Sequence, residues 1–393
     1  MLLAQISTLS LSLLLGRGVV AYQRNSSTCV NHPALDGDIV NGHVEMIDDP
    51  LRNFDSIMIP VYNASAIEDW SHDAVSADGM TGLAFTSSRG SIGGVPGAQR
   101  LFISAVWPNG TRYMEMAFTD ESSIDSCPEQ TIGRWYNTTT DVEWKFEYSA
   151  DYQDTLVTIN SPTVSGTIKM QSLAPPLYPN GLEYPNPDGN TLFAPLLYWV
   201  ENVPVGAVQA NLSILGTSFI LDGFGGRERN WLSLSWGDSS TSWDMMRGVV
   251  GPYRYIGWAH QSKIEGFQYS MVLLKEETVI FRTQRLQPFD KEPWGTITQT
   301  NDSSIHLTSP PDANVRLPES TFTGYTIEMV SPETEEHWKF DIGFTQTVYW
   351  FQAGRSTLIG GYTANVTGGL VGGCQYSGLS SGNLQETRSE GLM

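Results

Sequence analysis

The sequence has little positive charge. Its 393 residues include 22 lysine and arginine residues against 42 aspartate and glutamate residues, which gives a formal net charge of −20. Proteins that bind the phosphate backbone of nucleic acids need clustered lysine and arginine side chains. We therefore expect no nucleic acid partner, and the acidity bears on solubility rather than on the fold.

The common catalytic motifs are missing as well. The sequence contains no phosphate-binding glycine loop and no His-Glu-x-x-His zinc motif. None of the six histidines has metal-ligand spacing, so we predict no metal site. Paired carboxylates are so frequent in this acidic chain that they do not identify the two acids of a glycoside hydrolase.

Cysteines are few and the apolar runs are short. Three cysteines suggest one disulfide and one free thiol, and we predict the Cys29–Cys127 pair with Cys374 unpaired. The Leu9–Leu15 run and the small residues at Val19–Ala21 predict a signal peptide over residues 1–21. The run is too short to span a bilayer, so we expect no retained membrane span. The alternative is a disordered apolar tail.

Seven Asn-x-Ser/Thr sequons support entry into the secretory pathway, as the predicted signal peptide does. They are far more than chance gives for this composition, and they predict a glycoprotein of the secretory pathway, secreted or retained within it. The acceptor positions are Asn25, Asn63, Asn109, Asn137, Asn211, Asn301 and Asn365.

No segment shows sustained helical periodicity. Short alternating or β-branched runs recur about every ten residues between Gly, Pro, Asn and Asp, for example Gln99–Trp107 and Thr111–Thr119. This spacing predicts an all-β sandwich or barrel, and the Asn109-Gly110 pair between those two runs predicts a hairpin. The length favours two domains, which we place at residues 22–245 and 246–393. The polar tail after Gly378 is expected to be disordered.

The segment from Asp222 to Tyr253 is rich in glycine, tryptophan and charge, and includes Arg227-Glu228-Arg229. Glycine permits close backbone approach, and tryptophan provides a large apolar wall with one polar group. We interpret the segment as the lining of a pocket for a mostly apolar small molecule. The alternative is a tryptophan-rich β core in which Arg227 and Glu228 pair in a loop.

A second candidate segment is Trp70-Ser71-His72-Asp73. In a strand, Trp70 and His72 face one side while Ser71 and Asp73 face the other, where both could reach a pocket. In the alternative, His72 is an ordinary interior or surface histidine and Asp73 caps a turn.

These segments together resemble the lipocalin-like fungal Diels–Alderases over nearly the whole mature chain. Glu68–Asp73 is similar to that family's Trp-Glu-x-Asp segment, and Ser104–Thr111 to its Trp-Pro-Asp-Gly-Thr hairpin. Two further similarities are Tyr198 in Tyr-Trp-Val-Glu-Asn-Val-Pro and the Gly-Phe-Gly-Gly through Gly-Pro-Tyr segment. A looser one covers Glu336–Phe340 and Trp350.

The resemblance implies an N-terminal β-sandwich packed on a C-terminal lipocalin-like barrel, with a pocket between them. It also implies [4+2] cycloaddition of apolar small molecules without a cofactor. Trp236, Asp73 and His72 would then be catalytic. The expected substrate-binding residues are Ser71, Ser104, Tyr198, Arg227 and Trp350.

Two departures concern the substrate. Decalin-forming members carry glutamate at the position of Ser71 and can carry asparagine at that of Ser104. With the secretory features, these differences favour the hetero-Diels–Alderases of tropolone–sesquiterpenoid pathways, which join an ortho-quinone methide to a terpene alkene. The alternatives are an intramolecular Diels–Alderase acting on a polyene polyketide, a non-catalytic binder of apolar ligands, a polyene hydratase or isomerase, and a secreted carbohydrate-active enzyme.

Overall fold

The computed structural model describes residues 28–311 and 313–388. The predicted signal peptide and the sequon at Asn25 lie outside these residues. The first thirteen strands form one antiparallel sheet: β1 (Val30–Leu35), β2 (Ile67–Ser76), β3 (Gly82–Ile92), β4 (Val95–Val106), β5 (Arg112–Thr119), β6 (Glu121–Ser126), β7 (Gln130–Tyr136), β8 (Glu143–Ser149), β9 (Asp154–Asn160), β10 (Val164–Ser172), β11 (Leu192–Ala194), β12 (Leu197–Ile214) and β13 (Thr217–Leu232).

The rest of the described chain forms a second antiparallel sheet of nine strands, preceded by one short helix. These elements are α1 (Trp236–Ser239), β14 (Ser240–Val250), β15 (Tyr253–Ser262), β16 (Phe267–Lys275), β17 (Thr278–Thr283), β18 (Trp294–Thr300), β19 (Gly324–Ser331), β20 (Glu336–Gln352), β21 (Thr357–Leu370) and β22 (Gln375–Thr387). The prediction of an all-β chain is confirmed, including the hairpin between β4 and β5.

The first sheet runs in the order β1-β6-β7-β8-β9-β10-β12-β13-β2-β3-β4-β5 and curls into a near-closed barrel. The core lies inside this barrel: along β8, for example, every second side chain is apolar and turns inward, namely Trp144, Phe146 and Tyr148. Opposite sides of the sheet meet across this core, where the Trp135 indole of β7 donates a hydrogen bond to the Ser88 carbonyl of β3 at 3.0 Å.

The second sheet runs in the order β17-β16-β15-β14-β22-β21-β20-β19-β18 and forms a half-barrel. Its core is aromatic and aliphatic, with Tyr325, Phe340, Phe344 and Tyr362 among the buried side chains. Hydrogen bonds also join the two sheets: the Ser104 hydroxyl of β4 lies 2.8 Å from the Val348 carbonyl of β20.

Two boundaries differ from those expected. The chain passes to the second sheet between Leu232 and Ser240, so the domain boundary placed at residue 246 falls inside β14. The expectation of disorder after Gly378 was wrong for residues 379–387, which form most of β22 between β14 and β21. Its polar composition was misleading: Leu384 is fully buried, and polar side chains such as Ser381 face the first sheet.

The predicted disulfide Cys29–Cys127 is present, and Cys374 is a free, exposed thiol. Among the described sequons, Asn63 and Asn137 are half-buried, and both side chains make hydrogen bonds within the protein. The exposed sequons are Asn109, Asn211, Asn301 and Asn365. Within the described residues, no helix is long and apolar enough to cross a membrane.

Candidate functional site

A pocket lies between the two sheets, where β2, β3, β4 and β13 of the first face β14, β15, β20, β21 and β22 of the second. The first-sheet wall is largely polar. Strand alternation produces it, since residues that neighbour an inward-facing apolar side chain must face the pocket. The polar side chains on this wall are Asp69, Ser71, Asp73, Thr86, Arg100, Glu228 and Asn230.

The opposite wall is mostly aromatic. Trp236 of α1 packs against Trp243 of β14 and Trp258 of β15, with ring centroids 5.2 and 6.4 Å away. The indole nitrogen of Trp236 donates a hydrogen bond to Asp69 Oδ2 at 2.8 Å, which ties this wall to the first sheet. At another side, Phe102 contacts Tyr349 and Phe351, with centroids 5.2 and 5.9 Å away.

Asp73 lies on the pocket wall and joins the two sheets. Its carboxylate accepts a 2.8 Å hydrogen bond from Arg247 Nε of β14 and another from the Ser381 hydroxyl of β22. Arg247 is buried and also pairs with Glu201 at 2.7 Å. Gly226 makes this possible, because a Cβ there would lie 2.0 Å from Arg247 Nη1. Of the predicted residues, Asp73, Ser71 and Trp236 therefore come together in one pocket.

His72 borders the pocket, but its ring packs into the first-sheet core. It stacks on Phe85 with centroids 3.8 Å apart, and its Nε2 lies 2.8 Å from the Tyr148 hydroxyl. Burial, reinforced by Arg227 and Arg247, holds the pKa of His72 well below 6.5. The ring is therefore neutral near neutral pH.

Four other predicted residues lie outside this pocket. The Arg227 guanidinium is buried inside the first sheet, paired with Asp55, because it alternates with the pocket-facing Glu228. Tyr198 stacks on Trp231 in a separate cluster with centroids 5.4 Å apart. The remaining two are Ser104 and Trp350, which donate hydrogen bonds to backbone carbonyls. The Ser104 hydroxyl bonds to Val348, and the Trp350 indole bonds to Pro318.

Glu228 was considered from the sequence only as a partner of Arg227, yet it lines the pocket and is 7% exposed. Its Oε2 accepts a 3.0 Å hydrogen bond from the Trp199 indole. Burial raises its pKa to about 7. Arg100 was missed as well: its Nη2 lies 3.6 Å from Asp69 Oδ1 on the same wall. Alternation along β13 and β4 would have identified both, had the strand boundaries been known.

The described residues contain no cluster of His, Cys, Asp and Glu suited to a metal ion. The pocket offers shape and hydrogen bonds. Its polar wall can bind polar atoms of a ligand, and its tryptophans can cover an apolar part.

Comparison with known proteins shows the family to which this sequence is similar. The model of the Diels-Alderase-like family matches residues 38–386. The Diels-Alderase phmD of Phaeosphaeria nodorum is 30% identical over 334 residues, which cover 84% of this chain and 90% of that protein. The Diels-Alderase ffsF of Aspergillus flavipes is 31% identical over 328 residues, covering 82% and 77%.

The fold has a solved counterpart too. The crystal structure of CghA with Sch210972 superposes with a TM-score of 0.75 at 20% identity, and the match covers 91% of this chain and 98% of that one. The fold likeness confirms the lipocalin-like architecture, and the sequence relatives support enzymatic, pericyclase function.

Proposed function

The chain belongs to the Diels-Alderase-like family, and on this premise we propose that it catalyses an intermolecular hetero-Diels–Alder reaction. The reactants would be an ortho-quinone methide of the tropolone type and a sesquiterpene alkene. The observation behind this proposal is the division of the pocket into a polar first-sheet wall and an aromatic opposite wall. The two walls match an oxygen-bearing heterodiene and a hydrocarbon partner.

The reaction forms one C–O bond and one C–C bond in a concerted step and loses no atoms. It needs no nucleophile, so the main task of the protein is to hold the two reactants face to face. Such positioning is worth several kcal/mol. Trp236, Trp243 and Trp258 would cover the alkene, while hydrogen bonds from the polar wall would stabilise charge that develops on the heterodiene oxygen. We propose that no cofactor takes part.

An intramolecular reaction of a polyene polyketide is the nearest competing function, because one substrate with a polar head and an apolar chain would also fit both walls. The other competing function is the binding of apolar ligands without catalysis. The test incubates a quinone methide precursor and a sesquiterpene alkene as separate molecules with native or heat-inactivated protein. Faster and stereoselective formation of the mixed adduct by native protein alone supports the proposal, and equal rates and selectivities contradict it.

Trp236→Phe narrows the test to the pocket, with Trp338→Phe as the matched control, since Trp338 is buried in the second-sheet core. Losing part of the wall and the hydrogen bond to Asp69 should lower the rate roughly 10- to 100-fold through poorer positioning, whereas Trp338→Phe should leave it near wild type. If Trp236→Phe folds normally and keeps the wild-type rate and selectivity, this pocket does not hold the reactants.

A further inference from the structure

Glu228 differs from the other carboxylates on the polar wall. Asp69 lies 3.6 Å from Arg100, and Asp73 lies 2.8 Å from Arg247. Among the described residues, Glu228 has no ion pair, although only 7% of its surface is exposed. A buried carboxyl without a cationic partner favours its neutral, proton-bearing form, which donates a hydrogen bond.

The charged groups around Glu228 come from four strands. Asp73 of β2 and Glu201 of β12 are acidic neighbours, and Arg247 of β14 is a basic one. The phenol of Tyr349 of β20 also interacts electrostatically with Glu228. Burial is the largest influence and raises the pKa of Glu228, and Asp73 adds to it. Arg247 and the hydrogen bonds from Trp199 and Asn230 oppose the rise, leaving a pKa of about 7.

Asn230 supplies an independent observation. It lies two residues further along β13, so its side chain faces the pocket beside Glu228. It is 4% exposed, and its Oδ1 has no hydrogen-bond partner among the described residues. Leaving a buried acceptor without a hydrogen-bond donor destabilises the protein. A ligand hydroxyl placed in the pocket would remove that cost.

We propose that Glu228 and Asn230 together recognise a conjugated hydroxy-ketone edge of the heterodiene. The Glu228 carboxyl donates a hydrogen bond to the ketone oxygen of the heterodiene. Asn230 Oδ1 accepts one from a hydroxyl on the neighbouring ring carbon, which the quinone methide retains when its precursor carries a further ring hydroxyl beside the one that becomes the ketone. This inference rests on the proposed function for the identity of the reaction, and it assigns catalysis to a side chain that touches the reacting oxygen. A donor fixed there strengthens its bond as negative charge grows on that oxygen.

The binding test uses tropolone, which carries the hydroxy-ketone edge but no exocyclic carbon for cycloaddition. Its competitor is 2-methoxytropone, which lacks the hydroxyl. Calorimetry at about pH 5.5, below the Glu228 pKa of about 7, should show tropolone binding roughly 10-fold more tightly, as one hydrogen bond predicts. Asn230→Leu should abolish this preference. Equal binding of both probes to wild type, or an unchanged preference in Asn230→Leu, overturns the proposal.

The kinetic test uses the pH profile of adduct formation. The wild-type rate should fall as the pH rises through about 7, because Glu228 then loses its donating proton. Glu228→Gln keeps an N–H donor but cannot titrate, so its rate should be lower below pH 7 and should no longer fall across this range. A Glu228→Gln profile that superimposes on that of wild type overturns the role of Glu228.

Asp244→Asn is the matched control. Asp244 is a half-buried acid outside the pocket whose pKa is raised by desolvation to about 6, and it accepts a 2.8 Å hydrogen bond from Tyr325. Its substitution should change neither the probe preference nor the wild-type fall in rate near pH 7; a loss of that fall overturns the assignment to Glu228.

The experiments also distinguish a failure of the proposed reaction from a failure of the recognition pair. A tropolone preference that Asn230→Leu abolishes, without any adduct, refutes only the reaction, whereas adduct formation insensitive to both substitutions refutes only the recognition pair.

Discussion

The interiors of the two sheets are built differently. Inside the first sheet, arginines are buried among aromatic rings and paired with acids: Arg227 with Asp55, and Arg229 with Glu68. Both guanidinium groups lie 3.8 Å from the centroid of an aromatic ring. The main core of the second sheet consists of apolar and aromatic side chains.

This difference matters for the pocket because β13 takes part in both environments. Arg227 and Arg229 point inward, and Glu228 and Asn230 point outward between and beside them. The ion pairs of Arg227 and Arg229 on the inner face thus hold β13 in place, and β13 carries part of the polar wall. The second sheet contributes mainly aromatic shape to the pocket, together with the bonds from Arg247 and Ser381 to Asp73.

The largest expected effect comes from breaking an inner ion pair. Arg229→Met leaves Glu68 as a buried charge without its partner, so the free energy of unfolding should fall by about 3–5 kcal/mol. Tyr325→Phe provides the comparison in the second sheet, where a hydroxyl bonded to Asp244 is lost, and should cost about 1–3 kcal/mol. Urea unfolding measures both. Equal losses would show that the two interiors do not differ energetically.

A smaller effect concerns the buried histidines, one in each half. Burial lowers the pKa of His72 well below 6.5 and that of His260 to about 4. The unfolded chain therefore binds protons that the folded chain does not, and stability present above pH 6.5 is lost as the pH falls, by about 1.4 kcal/mol per unit and group.

For His260 this loss ends near pH 4. His72→Gln should flatten the decline by about one proton, as urea unfolding at several pH values would show. An unchanged slope would mean that His72 is protonated in the folded protein.

The smallest expected effect on stability concerns the exposed outer faces of the two sheets. We expect substitutions on these two faces to have equally small effects. We propose that the chain passes through the secretory pathway and that Asn211 of β12 and Asn365 of β21, both exposed, carry glycans. In protein from a yeast host, Asn211→Gln and Asn365→Gln should each remove one glycan and change stability by less than about 0.5 kcal/mol. An apparent mass that a peptide N-glycosidase does not lower would refute glycosylation.

The sequence predicted what depends on local pattern. Alternation gave the all-β class, and it correctly placed Ser71 and Asp73 opposite Trp70 in β2. The pairing of distant strands could not be predicted, and it decides which polar residues share the pocket. Arg247 meets Asp73 across 174 positions of sequence, and Glu228 joins the wall only because Arg227 turns inward. The aromatic residues Tyr198 and Trp350 satisfy the same local pattern, but the fold places them in other clusters.

Trp236 lies on the short connection, residues 233–239, that carries the chain from one sheet to the other. The same segment is therefore both a covalent link and part of the pocket wall. Chimeras that exchange halves between relatives would have to inherit this connection together with its anchor Asp69, to which the indole is bonded. A breakpoint inside it would divide one functional unit between two parents, so the two sheets are not independent modules for recombination.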